Sequence, residues 1–315
     1  MKRKAICVSV VISALTILLP QVSQSAEQSA YPEVGLAKDV IYFVMPDRYL
    51  NGDTSNDLAG GTTTDSTGGF NPKSTAFFHG GDLKGLTGNC EKGDKGLARI
   101  KDLGFTAVWL TPLVGQQQAS KSGAGYHGYW GVDFLNVDPH LGTNADLSAL
   151  SACAKKLGIK LILDVVTNHT GDVIQYFDKT ASIPVGKESA KNPAWLNNLT
   201  NYHNVGDMSR CWGEGSCTQL GDFYGLDDLA TEKEVVYKGW TDVYGQWIKK
   251  YGFVGFRVDT ARHVDNDFFK NWSPGINQQA AEVGINNFTT FGEVWDINPI
   301  NLVGYIRDRG LQTVL

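Results

Sequence analysis

Residues 253–259 of this 315-residue chain read Phe-Val-Gly-Phe-Arg-Val-Asp, an almost continuous apolar run that ends on a carboxylate. Such a run is typical of a strand buried on both faces of a parallel sheet, and we predict a strand over Phe253–Val258. Active sites of α/β proteins lie at the carboxyl ends of such strands. Asp259 is therefore a candidate active-site residue at the carboxyl edge of the sheet.

Similar apolar runs recur along the chain and alternate with helical patterns. Further strands are predicted over Val40–Met45, Ala107–Leu110, Lys160–Val166 and Phe288–Val294, and another begins within Leu311–Leu315. Helices are predicted over Gly96–Leu103, Asp146–Leu157, Glu232–Lys250, Asp265–Trp272 and Pro299–Arg309. This alternation predicts an α/β fold whose parallel sheet is covered on both faces.

Open doubly wound sheets and eight-stranded barrels both begin with this order of elements. Asp164, Asp259 and Glu293 lie at or just before the ends of three different strands, as the active-site residues of a barrel do. An open sheet more often has a glycine-rich phosphate turn after its first strand, and none is present. We predict a (β/α)8 TIM barrel, here incomplete with about six strands, with an irregular subdomain inserted after strand 3.

The first 26 residues have the pattern of a cleavable signal peptide. Basic residues 2–4 precede an apolar run over 5–19, and small residues follow up to Ala26. We expect a secreted or periplasmic protein, with no membrane association after cleavage. The predicted domains are the first part of the barrel over 27–169, an inserted subdomain over 170–226, and the barrel's continuation over 227–315, which stops before its last strands.

Charge and cysteine content narrow the possible partners and the compartment. Signal removal leaves about eight more acidic than basic residues and no basic stretch, which argues against nucleic acid and anionic membranes. Four cysteines remain, an even number that favours two disulfides in an exported chain. We predict Cys211–Cys217 and Cys90–Cys153. A zinc site is the alternative, although the four are scattered and lack a CxxC pair.

Two carboxylates at successive strand ends are the candidate catalytic pair. Arg257 shares a strand face with Asp259, so its guanidinium can keep that carboxylate ionised and oriented as a nucleophile. Glu293 lies between Phe291 and Trp295, and a partly apolar setting raises a carboxyl pKa, as a general acid requires. The alternatives are an ordinary strand-end ion pair and a polar strand cap.

Three segments together resemble the α-amylase family of glycoside hydrolases, over nearly the whole mature chain. They are Asp164–His169, Gly255–His263 and Phe291–Trp295, in the family's order and each at a predicted strand end. The resemblance implies that Asp259 is the nucleophile, Glu293 the acid/base and Arg257 the residue that fixes the nucleophile. It also implies a set of substrate-binding residues: His127, Tyr129, Trp130, His169, Arg262 and His263.

The resemblance further implies calcium, a cation that prefers oxygen ligands. One structural site would use Asn168, Asp228 and the carbonyl of His263. A second, resembling a site of cyclodextrin-forming members, would use Asn51, Asp53, Asn56, Asp57, Gly80 and Asp82. The alternative for this second group is a turn-rich solvated loop.

The activity implied is retaining cleavage of α-1,4-glucosidic bonds in starch or maltodextrin, by a protein that we expect to be monomeric. Transglycosylation of the cyclodextrin-forming type is the first alternative. The second is an inactive glucan-binding fragment, because the family segment carrying the third carboxylate is expected after Leu315.

Overall fold

A six-stranded parallel sheet is the centre of the fold. The computed structural model describes residues 35–60, 68–176, 191–208 and 218–315, and the backbone of residues 184–187. The predicted signal peptide and the predicted Cys211–Cys217 bridge lie outside these residues. The sheet consists of β1 (Ile41–Val44), β2 (Ala107–Leu110), β5 (Lys160–Val166), β8 (Gly255–Asp259), β9 (Thr289–Gly292) and β10 (Thr313–Val314).

The strands lie side by side in the same order in which they occur along the chain. A doubly wound sheet reverses its strand order at a switch point, whereas a barrel adds each new strand to the same edge. The order, with every pair parallel, therefore fits the predicted barrel. Within the described residues β1 and β10 do not pair, so the barrel is not closed.

Helices lie between successive strands of this sheet along the chain. They are α1 (Leu83–Thr87), α2 (Gly96–Asp102), α3 (Asn144–Leu157), α4 (Glu234–Tyr251), α5 (Phe268–Ala281) and α6 (Pro299–Arg307). A reciprocal capping box of Thr143 and Asp146 begins α3, and the left-handed Gly158 ends it. Helix α5 is longer than predicted, because it continues through Pro274 instead of stopping before it.

The two faces of the sheet have different neighbours, and within the described residues helices pack on only one of them, which corrects the prediction that both faces are covered. One face, with Val108, Leu163 and Val258, packs with residues of all six helices in a large apolar core. The other face carries only a small cluster that includes Ile162 and Phe291 and no helical residue. Helices therefore cover one face, and the opposite face is left for the site.

Helix α4 fixes the end of β5 just before the functional segment. The Trp240 Nε1–H donates to the Thr167 carbonyl at 2.9 Å, and the Tyr244 hydroxyl donates to the Val166 carbonyl at 2.6 Å. Both aromatic side chains are fully buried. The backbone that leads into Asn168 and His169 is thereby held by two buried hydrogen bonds.

Short elements fill the connections. Strands β3 (Val114–Gln116) and β4 (Gly131–Val137) form one small antiparallel sheet, and β6 (Ile174–Tyr176) and β7 (Pro184–Lys187) form another. Three-residue to four-residue 3-10 turns span Pro46–Arg48, Ala194–Asn197 and Leu199–Asn201.

A disulfide joins a loop to a helix of the described chain. The Cys90–Cys153 disulfide joins the loop after α1 to α3, which confirms that predicted pair.

No helix within the described part of the chain has both the length and the apolarity that crossing a membrane requires.

Candidate active site

The Arg257 guanidinium is the centre of the site and contacts three carboxylates. Its Nη1 donates to Asp164 Oδ1 at 2.9 Å and to Asp259 Oδ1 at 2.8 Å, and its Nη2 lies 2.9 Å from Glu293 Oε1. Strand pairing causes this convergence, because Asp164 is the register partner of Arg257 and Asp259 is two residues further along the same strand. The sequence-predicted catalytic residues are therefore brought together.

Glu293 is positioned from a second direction by the backbone that follows Asp259. The Thr260 N–H donates to Glu293 Oε2 at 3.0 Å. Thr260 has a φ of 47°, a left-handed conformation that a β-branched residue rarely adopts. Strain at this one residue therefore accompanies the turn that points its amide at Glu293.

The apolar setting expected around Glu293 is not found. Its side chain is 43% exposed and is held by Arg257 and Thr260, and the neighbouring Trp295 is itself mostly exposed. Strand β9 ends at Gly292, one residue before Glu293, so the carboxylate stands on the following loop instead of between packed aromatics.

Electrostatics of the cluster also differ from the sequence-based expectation. Burial raises the pKa of Asp259, and the neighbouring Asp164 raises it further, although Arg257 acts in the opposite direction. Burial likewise raises the pKa of Asp164. One guanidinium is shared by three carboxylates, so Arg257 favours the ionised form of Asp259 without fully offsetting burial and Asp164, and its role in keeping Asp259 ionised stays a prediction.

Asp164 is held by two further donors. The Tyr129 hydroxyl donates to Asp164 Oδ2 at 2.9 Å, and the Trp109 Nε1–H donates to the same oxygen at 3.1 Å. Tyr129 was predicted to bind substrate, and its hydroxyl also has this role of holding Asp164. Trp109 was not predicted from the sequence, because within an apolar strand its ring is indistinguishable from a core side chain.

Two of the three predicted substrate-binding histidines, the partly buried His127 and the buried His169, are uncharged at neutral pH. Burial lowers the pKa of both His127 and His169 to about 4. His127 Nδ1 accepts from the Tyr129 N–H at 3.0 Å, which leaves Nε2 to carry the proton. The His127 ring packs edge-on against Trp130 at 4.8 Å, and His169 Nε2 lies 3.3 Å from the Tyr129 carbonyl.

Arg262 and His263 lie on the loop that follows Asp259 and strand β8. Arg262 Nη1 donates to the carbonyl of Trp295 at 2.6 Å, so the loops after β8 and β9 are tied together. His263 Nδ1 donates to the Thr218 carbonyl at 2.8 Å. The first contact places Arg262, a predicted substrate-binding residue, beside the loop that carries Glu293.

Two cavities are lined by other residues of the predicted site and their neighbours. One of about 390 Å³ is lined by Trp130, Phe223 and Tyr224, and the Phe223 ring stacks on His169 at 5.9 Å. The other, of about 880 Å³, is lined by Arg262 and Asp296 together with residues of α6. Their volumes are in the range of ligand-binding clefts.

Two residues predicted for the first calcium site, Asn168 and Asp228, lie on neighbouring segments, and the buried side-chain oxygen of Asn168 fits an oxygen-coordinated cation. Asn168 Oδ1 is buried and has no hydrogen-bond partner among the described residues. An isolated bridge pairs His169 with Asp228, whose Oδ2 accepts from His203 and from the Gly221 N–H. Within the described chain, no three His, Cys, Asp or Glu side chains are grouped to hold a metal by themselves, so amide and carbonyl oxygens are required.

The second predicted calcium group is only partly assembled. Asn51 Oδ1 and Asn56 Oδ1 are buried without a partner in the described part of the chain, and Asn51 Nδ2 donates to Asp57 Oδ1 at 2.8 Å. A side chain at Gly80 would collide with these Asn51 and Asp57 atoms.

The two remaining carboxylates of that group have other partners. Asp82 caps α1 through the Gly85 N–H, and Asp53 pairs with Lys84. Four of the six positions, Asn51, Asn56, Asp57 and Gly80, are therefore compatible with a cation, and the other two have structural roles.

The fold and this cluster define a catalytic domain of the α-amylase type. The family described as alpha amylase, catalytic domain, matches residues 43–296. The chain belongs to this family.

Several known proteins resemble the chain in sequence or structure. It is 36% identical over 285 residues to an α-amylase from Streptomyces lividans, covering 76% of this chain and 30% of that protein. It is 26% identical over 299 residues to a cyclomaltodextrin glucanotransferase from Klebsiella oxytoca, covering 92% and 42%. The solved structure of an Anoxybacillus α-amylase matches with a TM-score of 0.68 and 31% identity, covering 88% of this chain and 51% of that one. The chain thus spans 30% to 51% of the length of these three proteins.

Proposed function

We propose that this chain carries the catalytic pair of an enzyme that cleaves α-1,4-glucosidic bonds of starch or maltodextrin with retention of configuration. The observation that carries the proposal is the single guanidinium of Arg257 in contact with both Asp259 and Glu293. Retaining glycosidases need two carboxyl groups close together, roughly 5 Å apart. Two carboxyl groups that bind one guanidinium are close in this sense.

The proposed reaction has two displacements. Asp259 attacks the anomeric carbon while the protonated Glu293 donates its proton to the leaving glycosidic oxygen. The resulting glycosyl ester on Asp259 is then attacked by water, whose proton returns to Glu293. The Thr260 N–H and Arg257 hold the Glu293 oxygens on both sides, which keeps this side chain in place for both proton transfers.

Asp259 must be ionised to attack, and its buried setting opposes ionisation. Burial also opposes ionisation of the neighbouring Asp164. This carboxylate accepts hydrogen bonds from three donors: Arg257, Tyr129 and Trp109. These donors favour charge on Asp164, and Arg257 favours charge on Asp259.

Transglycosylation is the second candidate, with a sugar hydroxyl replacing water in the second displacement. The match to a cyclomaltodextrin glucanotransferase over 92% of the chain supports considering it. Products from maltoheptaose distinguish the two activities. Shorter linear sugars alone indicate hydrolysis, whereas longer or cyclic products indicate transfer.

We also propose one bound calcium ion at Asn168, Asp228 and the His263 carbonyl, supported by the unpartnered Asn168 oxygen. When bound, the ion supplies positive charge that joins the segment after β5 to the segment before α4. Calcium at the loop of Asn51 and Asp57 is a second such proposal. We further propose that the protein is exported and monomeric and that its partner is an α-glucan.

The test of the reaction compares variants of the whole chain on starch, with release of reducing ends as the readout. We expect Asp259→Asn and Glu293→Gln each to lower the rate by about three to four orders of magnitude. Asp242→Asn, an exposed acid on α4, is the matched control and should leave it unchanged. Proton NMR of the first products should show the α anomer, and a β anomer would refute retention.

A parent chain that binds maltoheptaose without cleaving it would support the glucan-binding alternative instead. Near-normal cleavage by Asp259→Asn would refute the assignment of the nucleophile. Mass spectrometry of Glu293→Gln after reaction with an activated α-glucosyl fluoride adds direct evidence, because the glycosyl group should remain on the peptide that contains Asp259.

A further inference from the structure

We propose that Trp109 is a positioning residue of the catalytic cluster, because its indole fixes both Asp164 and Arg257. Fixed in this way, the guanidinium stays in contact with Asp259 and Glu293 as well. This inference rests on the function proposed above and deepens it. Trp109 lies in β2, outside the three segments that resemble the α-amylase family. Contacts in the structure, and no similarity of sequence, point to this role.

Strand register places the Trp109 indole on the face of the sheet that carries the site. Its neighbours Val108 and Leu110 belong to the large core that the helices cover, whereas Trp109 packs with the small cluster of the opposite face. Ile162 is its register partner on β5, and Asp164 is two residues further along that strand, on the same face. The indole therefore has to extend only a short way towards the carboxyl edge to meet this carboxylate.

Asp164 accepts hydrogen bonds on both of its oxygens. Arg257 Nη1 donates to Oδ1 at 2.9 Å and to Oδ2 at 3.1 Å. The Tyr129 hydroxyl and the Trp109 Nε1–H donate to Oδ2 at 2.9 Å and 3.1 Å. The indole N–H can only donate and does not titrate, so it favours the charged carboxylate at every pH. Without it, the carboxylate would depend more on Arg257.

The indole ring also contacts the cation. Arg257 Cζ lies 5.6 Å from the centroid of the Trp109 ring, within the distance at which a guanidinium is attracted to an aromatic face. Two neighbouring rings hold the indole, Phe43 at 4.5 Å and, edge-on, Phe291 at 5.8 Å between centroids. One side chain thus holds an anion through its N–H and a cation through its ring.

The position of the guanidinium decides its contacts with the catalytic pair. Arg257 Nη1 donates to Asp164 and, at 2.8 Å, to Asp259, and Nη2 lies 2.9 Å from Glu293. A guanidinium drawn further towards Asp164 would lengthen both of the latter contacts. Displacements of about 1 Å in an active site can cost about 100-fold in rate. We therefore expect loss of the indole N–H to lower kcat.

The kinetic test compares Trp109→Phe with the matched control Trp195→Phe in the whole chain acting on starch. Phenylalanine keeps a ring at position 109 and removes the N–H, whereas Trp195 packs on Trp240 in the core that the helices cover. Trp109→Phe should lower kcat about 10- to 100-fold, as for one lost hydrogen bond to a charged group, with KM changed less than about twofold. Trp195→Phe should change neither.

The pH profile separates positioning from packing. Loss of the N–H raises the pKa of Asp164, and a protonated Asp164 no longer raises the pKa of Asp259. The acid limb of kcat/KM should therefore move to lower pH in Trp109→Phe. Arg257, Tyr129 and Glu293 also face these two carboxylates and are the same in both proteins. A packing role alone would leave the limb in place.

Urea unfolding gives a second readout, which needs no activity. Burial raises the pKa of Asp164 to about 6, and loss of the indole donor raises it further. At pH 4 the carboxyl is protonated in parent and variant, whereas at pH 8 its charge is less well stabilised in Trp109→Phe. The stability difference between Trp109→Phe and the parent should therefore grow from pH 4 to pH 8, and that of Trp195→Phe should not.

An active parent with unchanged kcat and pH profile in Trp109→Phe would refute the positioning role and leave the proposed function intact. So would an equal loss of kcat in Trp195→Phe, or a stability difference of Trp109→Phe that is the same at both pH values. Failure of the parent to cleave starch would refute both.

Discussion

Replacement of Lys191 by methionine tests how the segment between β5 and α4 is held. The Lys191 ammonium lies 3.0 Å from Asp227 Oδ2, with side-chain exposures of 1% and 0%. Asp227 also accepts hydrogen bonds from the backbone N–H groups of Val173 and Ile174 and from the Thr170 hydroxyl. This carboxylate therefore joins three parts of the segment, and Lys191 is its counter-charge.

Removing one partner of a buried ion pair costs about 3–5 kcal/mol, because the other charge stays buried. Three neutral donors remain on Asp227, so we expect the lower end, about 3 kcal/mol of the free energy of unfolding. That is a large fraction of the roughly 5–15 kcal/mol of a typical domain. For a chain of this length it corresponds to a fall in melting temperature of about 5–6 °C.

The assay is chemical and thermal denaturation of Lys191→Met beside a matched control, Lys238→Met. Lys238 pairs with Glu234 at 2.5 Å, but both side chains are about two-thirds exposed, so its loss should have little effect. The double variant Lys191→Met/Asp227→Asn should recover part of the lost stability, since no unpaired charge remains. Equal melting temperatures for Lys191→Met and Lys238→Met would refute the reasoning.

Three further predictions concern the site. Thr260→Gly should be more stable than Thr260→Ala by about 1 kcal/mol in urea unfolding, because only glycine accepts a φ of 47° without strain. At an ordinary backbone position alanine is the more stable of the two, and that order here would contradict the prediction. Since burial raises the pKa of Asp259 above its ordinary 3.8, its carboxylate opposes folding increasingly as pH rises. Asp259→Asn should therefore melt higher than the parent at pH 8, with the difference vanishing near pH 4, and a pH-independent difference would count against it. Calcium at about 100 times its dissociation constant should stabilise the parent by about 2.7 kcal/mol in thermal melts, and Asn168→Ala should lose most of this response; an unchanged response in that variant would remove Asn168 from the site.

Much of the fold follows from local patterns. Apolar runs of four to seven residues located the strands, and the predicted Lys160–Val166 and Ala107–Leu110 are the observed β5 and β2. The capping and termination of α3 are equally local, because Thr143 and Gly158 act on the adjacent turn. Where prediction failed, as at Pro274, packing outweighed a local signal.

The site was only partly predictable for a different reason. Arg257 and Asp259 are two residues apart, so strand geometry alone puts them on one face. The contacts of Arg257 with Asp164 and of Lys191 with Asp227 span 93 and 36 residues, and no local pattern reports them. The sharing of one guanidinium by three carboxylates, and hence the raised pKa of Asp259, becomes visible only in three dimensions.

The agreement between strand order and chain order has a consequence for biosynthesis. Each new strand can join the free edge of the sheet as soon as it leaves the ribosome, so assembly can proceed from the amino terminus. Asp164 is then placed on β5 long before Arg257 arrives on β8, 93 residues later. Before β8 is made, Asp164 can have the donors Tyr129 and Trp109 but not its cation, so the attraction between Asp164 and Arg257 favours docking of β8 in the observed register.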